Sequence, residues 1–160
     1  MAPNEPAPAG RTLLRKAAAK DAEPLTRVFL ASRARTMPYL RKLHSDADTL
    51  AWMTHVVLPG TMVWVAETAT GEVLGFASVD GTELEHLYLR PDVRRRGIGS
   101  LLLATAREIS PEELTLHVFQ RNTVARAFYE RHGFTAVDFN DGSRNEEKEP
   151  DVLYRWTARG

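Results

Sequence analysis

The sequence predicts a mixed α/β fold in which a largely antiparallel sheet is flanked by helices, in the order β-α-α-β-β-β-α-β-α-β-β. Apolar residues recur at the helical period of 3.6 in some segments and at the strand period of two in others. Three strand-like segments follow one another directly and are joined by short loops, which is typical of an antiparallel meander. Because 43% of the 160 residues are apolar, the chain can bury one substantial core.

The first part of the chain is predicted to contain a leader, a strand and a helix. Residues 1–10 are rich in proline and alanine and are interpreted as a disordered leader, so that residues 11–160 form a single domain. A short strand is predicted at Thr12–Ala18. Asp21 stands where it could cap a helix that runs to about Arg35.

A second helix and the strand meander follow. Ser45 and Asp48 have the spacing of a capping box, and the Pro-Gly pair at 59–60 ends the helix that they begin. The runs TMVWVAE, VLGFASVD and TELEHLYL then predict three strands. A loop containing Gly71 and the hairpin signal Asp-Gly at 80–81 connect these strands.

The second half of the chain predicts two helices and three strands. The helix that begins near Gly97 carries apolar residues at helical spacing, namely Ile98, Leu101, Leu102 and Ile109. The run LTLHVF is a further strand, and Asn122 can cap a short helix that ends at His132, with Gly133 in the C′ position. The runs FTAVDF and DVLYRW predict the last two strands.

Composition excludes several classes of function. The formal net charge is +0, which argues against a basic groove for nucleic acid, and the absence of cysteine excludes disulfides and cysteine nucleophiles. The histidines show none of the spacings of zinc hydrolases, so no metal is expected. No apolar run reaches the roughly 20 residues of a membrane span. We therefore expect a cytoplasmic protein that binds neither nucleic acid nor membrane.

The stretch RPDVRRRGIGS, residues 90–100, places the densest positive charge of the chain beside two glycines at a predicted helix start. The first N–H groups of a helix lack intrahelical partners and attract anions. Gly97 and Gly99 remove the Cβ atoms that would keep a ligand from the backbone. The preferred ligand is a phosphate or pyrophosphate, and the alternative is a surface turn with solvated arginines. No Walker lysine follows, and position 102 is leucine rather than the third glycine of a dinucleotide fingerprint.

This stretch and a second motif together resemble the GCN5-related N-acetyltransferase (GNAT) superfamily. The acyl-CoA signature of the family, Arg/Gln-x-x-Gly-x-Gly/Ala, is matched by Arg94, Gly97 and Gly99. Its downstream signature is an asparagine followed by a helix with Phe-Tyr-Glu and a Gly-Phe pair. The matching residues here are Asn122, Phe128, Tyr129, Glu130, Gly133 and Phe134. The predicted element order is also that of the family.

The resemblance implies an enzyme that transfers an acetyl group from acetyl-CoA to a primary amine by direct attack in a ternary complex. It implies that Tyr129 is the general acid for the leaving thiolate and that the Leu89 N–H binds the thioester oxygen. The strand at Leu116–Phe119 is expected to diverge from that of Leu89. The CoA-binding residues implied by the resemblance are Leu87, Leu89, Arg94, Arg95, Arg96, Gly97, Ile98, Gly99, Ser100, Asn122 and Tyr129.

The general base is expected on the strand that precedes the pyrophosphate loop, where family members often have a glutamate. Glu85 is favoured over Glu83. Simple alternation places both on the face of Leu87 and Leu89, unless a bulge changes their facing. His117 on the opposite strand and a bound water are the other candidates, and the two glutamates could also be ordinary solvated residues.

The acceptor amine, a small molecule or a peptide, is not identified by the sequence. Helix and loop residues that could select it are Arg35, Tyr39, Arg41 and His44. The last loop carries Glu146, Glu147 and Glu149, which could attract a cationic amine or form a solvated turn. Arg126 and Arg131 are candidates for the 3′-phosphate of CoA. A non-catalytic acyl-CoA sensor of the same fold is the alternative function, and an acyl group other than acetyl and a homodimer are left open.

Overall fold

The structure, a computed structural model, describes residues 11–93 and 95–159. The predicted leader at residues 1–10 and the predicted role of Arg94 lie outside the described residues. The described residues form a seven-stranded sheet in the order β1-β2-β3-β4-β5-β7-β6, with helices on both faces. The predicted fold class and element order are confirmed.

The strands are β1 Leu13–Lys16, β2 Met62–Glu67, β3 Val73–Asp80, β4 Glu83–Leu89, β5 Glu113–Phe119, β6 Thr135–Asn140 and β7 Asp151–Thr157. Neighbouring strands are antiparallel except for β4 and β5, which are parallel. The strands β2, β3 and β4 form the predicted meander.

The helices are α1 Ala22–Thr36, α2 Asp46–Trp52, α3 Leu58–Gly60, α4 Ile98–Ile109 and α5 Thr123–Arg131. A π-helical segment, Met53–Val57, joins α2 to α3, so the second predicted helix continues to residue 60 as expected. None of the described helices combines the length and the apolar character that crossing a bilayer requires.

Two hydrophobic cores lie on opposite faces of the sheet. On one face α4 packs through Leu102 and Leu103, and on the other face Leu25 of α1 and Met53 of the π-helical segment pack against Phe76. The predicted apolar face of α4 is wrong at Leu101, which is 43% exposed. Leu103 is buried instead of Leu101. The packing of the whole helix on the sheet determines which of its residues face the core.

Two predicted helix caps have different outcomes. Ser45 caps α2 as expected, because its Oγ accepts a hydrogen bond from the Asp48 N–H at 3.0 Å. Asp21 stands before α1 but does not cap it. Its buried carboxylate instead accepts two hydrogen bonds from Arg15 of β1, both at 2.8 Å, and one from the Ala18 N–H at 2.7 Å. Asp21 therefore ties the first strand to the start of the first helix.

A bulge in β4 changes the direction of its side chains. Ser78 pairs with His86 and Val79 pairs with Leu84, so Glu85 is an extra residue without a partner in β3. Leu84 is buried in the α4 core, on the side of the sheet where Leu87 also packs. Simple alternation, which would place Glu83 rather than Leu84 on that side, is therefore wrong for this strand.

Candidate active site

A cleft opens in the sheet where β4 and β5 separate. Among the described residues the two strands share the one register pair Glu83 and Thr115, and the Thr115 N–H donates to the Thr82 carbonyl at 2.9 Å. β5 then pairs with β7 along its whole length. The half of β4 that ends at Leu89 therefore has one edge available to a ligand.

Leu87 and Leu89 direct their backbone groups into this cleft. The Arg90 N–H donates to the Leu74 carbonyl of β3 at 2.8 Å. Because successive residues of an antiparallel ladder point alternately towards and away from the partner strand, Tyr88 also faces β3. The N–H groups of Leu87 and Leu89 consequently face the opposite edge, where a pantetheine amide or a thioester oxygen could bind.

Gly75 of β3 allows the close packing that positions Leu89. The two residues are directly paired. A Cβ at Gly75 would lie 2.6 Å from Leu89 Cδ2 and 2.7 Å from the Tyr88 carbonyl oxygen, which no real side chain could tolerate without displacing β4. The position of the cleft-facing edge thus depends on glycine in the neighbouring strand.

The loop before α4 contains two residues in the left-handed conformation, Arg95 with φ 70° and Gly97 with φ 80°. A non-glycine residue in this region costs on the order of 1–3 kcal/mol, and such strain concentrates at ligand-binding sites. Gly97 is the N-cap of α4 and offers no side-chain cap to the first turn. The unpaired N–H groups of that turn make the loop suitable for an anion.

Gly99, in the first turn of α4, is buried against α5. A Cβ at this position would lie 3.3 Å from two atoms of the Phe128 ring. The second glycine of the motif therefore has a packing role, in addition to the close ligand approach for which the sequence suggested it. The contact joins the start of α4 to the middle of α5, and both segments line the same cleft.

The cleft has a volume of about 660 Å³ and lies between α1, β4, the start of α4 and α5. Ile98 is buried in the core and offers the site its backbone, whereas Arg96 is exposed beside the loop. The predicted site residues that line the cleft are Leu87, Leu89, Arg95, Gly97, Gly99, Ser100, Asn122 and Tyr129.

Tyr129 of α5 belongs both to the core and to the cleft wall. Its ring is 7% exposed and packs edge-on against Phe128 and Phe134, with centroids 5.1 and 5.5 Å away. Burial, followed by the proximity of Tyr88, raises the pKa of the Tyr129 hydroxyl well above its usual value. Tyr129 is therefore a neutral phenol that can donate a proton or a hydrogen bond, and it is unsuited to act as a base.

Asn122 and Arg126 differ in their availability to a ligand. Asn122 caps α5 by accepting from the Ala125 N–H at 3.2 Å, which leaves its amide N–H₂ able to donate into the cleft. Arg126 instead donates to the Tyr154 hydroxyl at 2.9 Å and to the Gln120 carbonyl at 3.3 Å. Of the two arginines considered for the 3′-phosphate, it is Arg131 that lines the cleft.

Several cleft residues were not found from the sequence. The end of α1 contributes Ser32, Thr36 and Met37, which no local motif marks. At the other end, His132 lines the cleft and its Nε2 lies 2.9 Å from Ser100 Oγ. The sequence placed His132 in the last turn of its helix, but the contact with Ser100 depends on how α4 and α5 pack.

Three base candidates lie together where β4 and β5 meet. His117 Nδ1 of β5 is 3.5 Å from Glu83 Oε1. Partial burial raises the pKa of Glu85, although its side chain remains exposed, and the negative charges of Glu83 and Asp80 raise it further. The pKa of Glu85 is therefore shifted in the direction that a proton acceptor working near neutral pH requires.

A different histidine, His86, is held neutral by the second core. Its ring contacts Phe29 and Trp52 edge-on, at centroid distances of 6.3 and 5.1 Å. Burial, with a smaller contribution from Arg33, lowers the pKa of His86 to about 4. His86 is therefore a packing residue at neutral pH.

The acidic loop between β6 and β7 is joined to neighbouring segments by ion pairs. Glu147 pairs with Arg33 of α1 at 2.8 Å, and Glu146 pairs with His44 at 2.5 Å. Glu149 forms two hydrogen bonds with Arg121, at 2.7 and 2.9 Å. Glu147 and Glu149 are therefore each held by an arginine, and Glu146 contacts a histidine.

A second, smaller cavity lies beside the base candidates. It has a volume of about 390 Å³ and is lined by His117, Val118, Phe119, Arg144, Asn145 and Asp151. Of the three base candidates, His117 is the one that lines this cavity. No cluster of three potential metal ligands occurs within residues 11–93 and 95–159.

Comparison with known proteins identifies the family of this chain. A family model described as the acetyltransferase (GNAT) domain matches residues 59–136. The peptidyl-lysine N-acetyltransferase YiaC of Escherichia coli is 30% identical over 145 residues, which cover 90% of this chain and 96% of YiaC. YjaB of Salmonella typhimurium, also a peptidyl-lysine N-acetyltransferase, is 40% identical over 77 residues, 48% of this chain. The chain matches about half the length of YjaB, 52%.

Solved structures share the fold. Apo YjaB from Escherichia coli superimposes with a TM-score of 0.76 at 24% identity, over 91% of this chain and 97% of YjaB. The PaiA N-acetyltransferase of Thermoplasma acidophilum, solved with coenzyme A, superimposes with a TM-score of 0.70 at 22% identity, over 92% and 99% of the two chains. The cleft at the β4–β5 divergence, the glycine-rich start of α4 and the similarity to nearly all of YiaC lead to one conclusion: this chain belongs to the GNAT family of acetyltransferases.

Proposed function

We propose that the protein transfers the acetyl group of acetyl-CoA to a primary amine, and that the amine is a lysine side chain of a peptide. The observation that carries the proposal is the shared cleft of Leu89, Gly97 and Tyr129. This cleft combines a free strand edge, an anion-binding helix start and a neutral phenol, which are the three groups that an acyl-CoA thioester requires.

In the proposed complex the phosphates of CoA lie on the first turn of α4, and pantetheine pairs with the free edge of β4. The Leu89 N–H donates to the thioester oxygen, and Leu87 offers a second donor on the same edge. Arg95 and Arg131 add positive charge beside the phosphates. Asn122 contributes its amide N–H₂ to the pantetheine arm.

The reaction forms a carbon–nitrogen bond and breaks a carbon–sulfur bond. An ammonium first gives one proton to the base, and the neutral amine then attacks the thioester carbonyl carbon. Negative charge develops on the carbonyl oxygen beside the Leu89 N–H. When the tetrahedral intermediate collapses, the departing sulfur takes a proton from Tyr129, and the second amine proton passes through solvent to restore the Tyr129 phenol. The products are the acetamide and the CoA thiol.

Glu85 is our proposed base, with Glu83 and His117 as the neighbouring alternatives. Support for Glu85 comes from its position as the bulged residue of β4 and from its raised pKa. The pair of Glu83 and His117, 3.5 Å apart, offers a second route for the proton. A water held between these groups would serve the same purpose.

The choice of a peptide lysine rests on the names of relatives. YiaC and YjaB are peptidyl-lysine N-acetyltransferases. Spermidine N(1)-acetyltransferase of Thermoplasma acidophilum, which is 31% identical over 90 residues, makes a polyamine the second candidate. The pairing of Glu147 with Arg33 and of Glu149 with Arg121 favours the peptide, because it leaves less free negative charge in the β6–β7 loop for a polycation.

The test is a panel of acceptors with acetyl-CoA as donor. Lysine-containing peptides, spermidine and a short diamine are incubated with the protein, and CoA thiol release and the acetylated product are measured together. We expect both products in equal amounts with the peptide. Tight acetyl-CoA binding without acetylation of any amine would instead favour the acyl-CoA sensor. Replacing acetyl-CoA by propionyl-CoA tests the acyl group.

A further inference from the structure

His132 joins the end of α5 to the first turn of α4 through its imidazole. Nδ1 lies 2.8 Å from the Phe128 carbonyl oxygen, and Nε2 lies 2.9 Å from Ser100 Oγ. The ring also packs on the Phe128 ring at a centroid distance of 4.4 Å. Its position is therefore determined from three sides, and its two nitrogens have different partners.

The partner of Nδ1 determines which nitrogen can change its protonation state. A carbonyl oxygen only accepts hydrogen bonds, so Nδ1 carries a proton whether the ring is neutral or charged. Nε2 is then the nitrogen that gains or loses a proton. In the neutral ring Nε2 accepts, and the Ser100 hydroxyl must donate its proton to it. In the charged ring Nε2 donates, and the Ser100 hydroxyl proton is released for another acceptor.

Ser100 is exposed in the first turn of α4, where its side chain lines the cleft together with the N–H groups proposed to hold the CoA phosphates. A phosphate oxygen needs donors. The Ser100 hydroxyl can donate to it only when it no longer donates to His132. Protonation of His132 thus supplies both a positive charge and a free hydroxyl donor at the same place.

We infer that His132 is a phosphate-recognition residue that acts through Ser100, so that binding of the CoA pyrophosphate takes up a proton at His132. The inference rests on the proposed function, since it concerns how the same cleft holds its donor substrate. The ligand chemistry is a diphosphate ester, whose pyrophosphate stays ionised throughout the range in which a histidine changes charge.

The charged groups around His132 favour this coupling. Arg107 of α4 donates to the His132 carbonyl, and Arg95 and Arg131 line the same cleft. These cations oppose a further positive charge when the cleft holds no anion, and a bound pyrophosphate removes that opposition.

The experiment measures proton uptake on binding of dephospho-CoA, which retains the pyrophosphate but lacks the titrating 3′-phosphate. Titration calorimetry at pH 7 in buffers of different ionisation enthalpy gives the number of protons taken up. We expect a net proton uptake for the wild-type chain, because the charged His132 ring frees the Ser100 hydroxyl to donate to the pyrophosphate. We expect affinity to fall by up to about tenfold per pH unit as the pH rises, the limit for one coupled proton.

Two variants and one control isolate His132. H132Q retains hydrogen-bonding capacity without a charge change and should show no proton uptake. S100A should flatten the pH dependence, because the hydroxyl that carries the effect is lost. H55Q alters an exposed histidine of the π-helical segment and should behave like the wild type. Pantetheine, which has no phosphate, should bind without proton uptake.

The outcomes separate this inference from the proposed function. Failure of the wild type to bind dephospho-CoA would overturn the proposed function and this inference with it. Binding without proton uptake, or equal uptake in H132Q, would overturn this inference alone. If H132Q is unstable, the ¹³Cε1 shift of His132 in the wild type decides, because it should move to the value of a charged ring when dephospho-CoA is added.

Discussion

Glu83 and Thr115 form the register pair at which β4 and β5 meet before the two strands diverge. Beyond this pair, β4 leads to the free edge of Leu87 and Leu89 in the cleft, and β5 leads to His117 beside the smaller cavity. The divergence that begins at the pair therefore opens the edge of β4 on which the proposed donor site lies.

The first prediction concerns the start of α4. Gly97→Val should reduce CoA affinity by tenfold or more, because a branched side chain strains the left-handed position and crowds the first-turn N–H groups. Gly71→Val is the matched control, since Gly71 also has a positive φ, 91°, and lies in the β2–β3 turn. Both variants should lose stability, but only Gly97→Val should lose binding in a calorimetric titration. Equal CoA affinities of Gly97→Val and Gly71→Val would show that the CoA phosphates do not bind at this loop.

The second prediction concerns the proposed acid. Tyr129→Phe should lower kcat by about 10- to 10³-fold and leave CoA affinity nearly unchanged, because it removes a donor needed only by the leaving sulfur. Tyr154→Phe provides the contrast. The Tyr154 hydroxyl donates to Glu130 at 2.6 Å and accepts from Arg126 at 2.9 Å, so its loss should reduce stability rather than kcat. Steady-state kinetics and thermal unfolding of both variants would separate the roles. A Tyr129→Phe enzyme with normal kcat would make Tyr129 a packing residue.

The third prediction identifies the base. If Glu85 accepts the ammonium proton, Glu85→Gln should reduce kcat/KM most near pH 6 and least near pH 10, because an alkylamine with a pKa of about 10.4 increasingly arrives unprotonated as the pH rises. Glu83→Gln and His117→Gln are the controls at the same junction. The measurement is a pH–rate profile with one good acceptor. Parallel profiles for wild type and Glu85→Gln would show that Glu85 is not the base and would leave Glu83, His117 or a bound water as the candidates.

Glu85 also allows a prediction about stability. Its pKa is raised in the folded state, so the folded chain holds this proton more tightly than the unfolded chain does. Ionisation as the pH rises through the raised pKa therefore lowers the stability of the fold. Glu85→Gln should unfold at a higher temperature than the wild type at pH 7, and the difference should vanish below the unfolded pKa. A lower unfolding temperature at pH 7 would show that the carboxylate is structurally favourable.

The last stability prediction concerns Asp21. Asp21→Ala should destabilise the fold by about 3 kcal/mol, because it leaves the buried side of Arg15 without its main partner. Hydrogen bonds from Arg15 hold the pKa of Asp21 below its usual value. The contribution of Asp21 is therefore present above the unfolded pKa near 3.8 and is lost as the pH falls through the lower folded pKa. Urea unfolding at pH 7 and below pH 3 should show the variant approaching the wild type in acid. A constant difference would contradict the ionic origin.

The element order and the helix starts could be predicted from the sequence because they depend on local patterns. The periodicity change before β2, the Ser45 cap and the glycine at the start of α4 are all readable within a few residues. The sequence leaves open whether β4 contains a bulge, and the position of the bulge at Glu85 could not be predicted, because it is defined only by the pairing of β4 with β3. Its effect on the facing of Leu84 follows from that pairing.

The site residues that lie within one sequence motif could be predicted, but the contacts between different helices and loops could not. Of the residues that the motifs mark, Arg95, Gly97, Gly99, Ser100 and Tyr129 line one cleft. The contact of Ser100 with His132 and the pairing of Glu147 with Arg33 join residues 32 and 114 positions apart. No short pattern encodes such separations, since they result from how helices and loops pack on the sheet.

The most direct test of the account is a titration of the ¹⁵N-labelled protein with CoA, followed by amide chemical shifts. If CoA binds between β4 and β5, saturable changes should occur at Leu87 and Leu89 on the free edge of β4 and at residues 97–100 of the α4 start. Changes should be small at the β2–β3 turn around Gly71, which lies away from the cleft. Shifts confined to other surfaces, or the absence of saturable shifts, would contradict the placement of acetyl-CoA between β4 and β5.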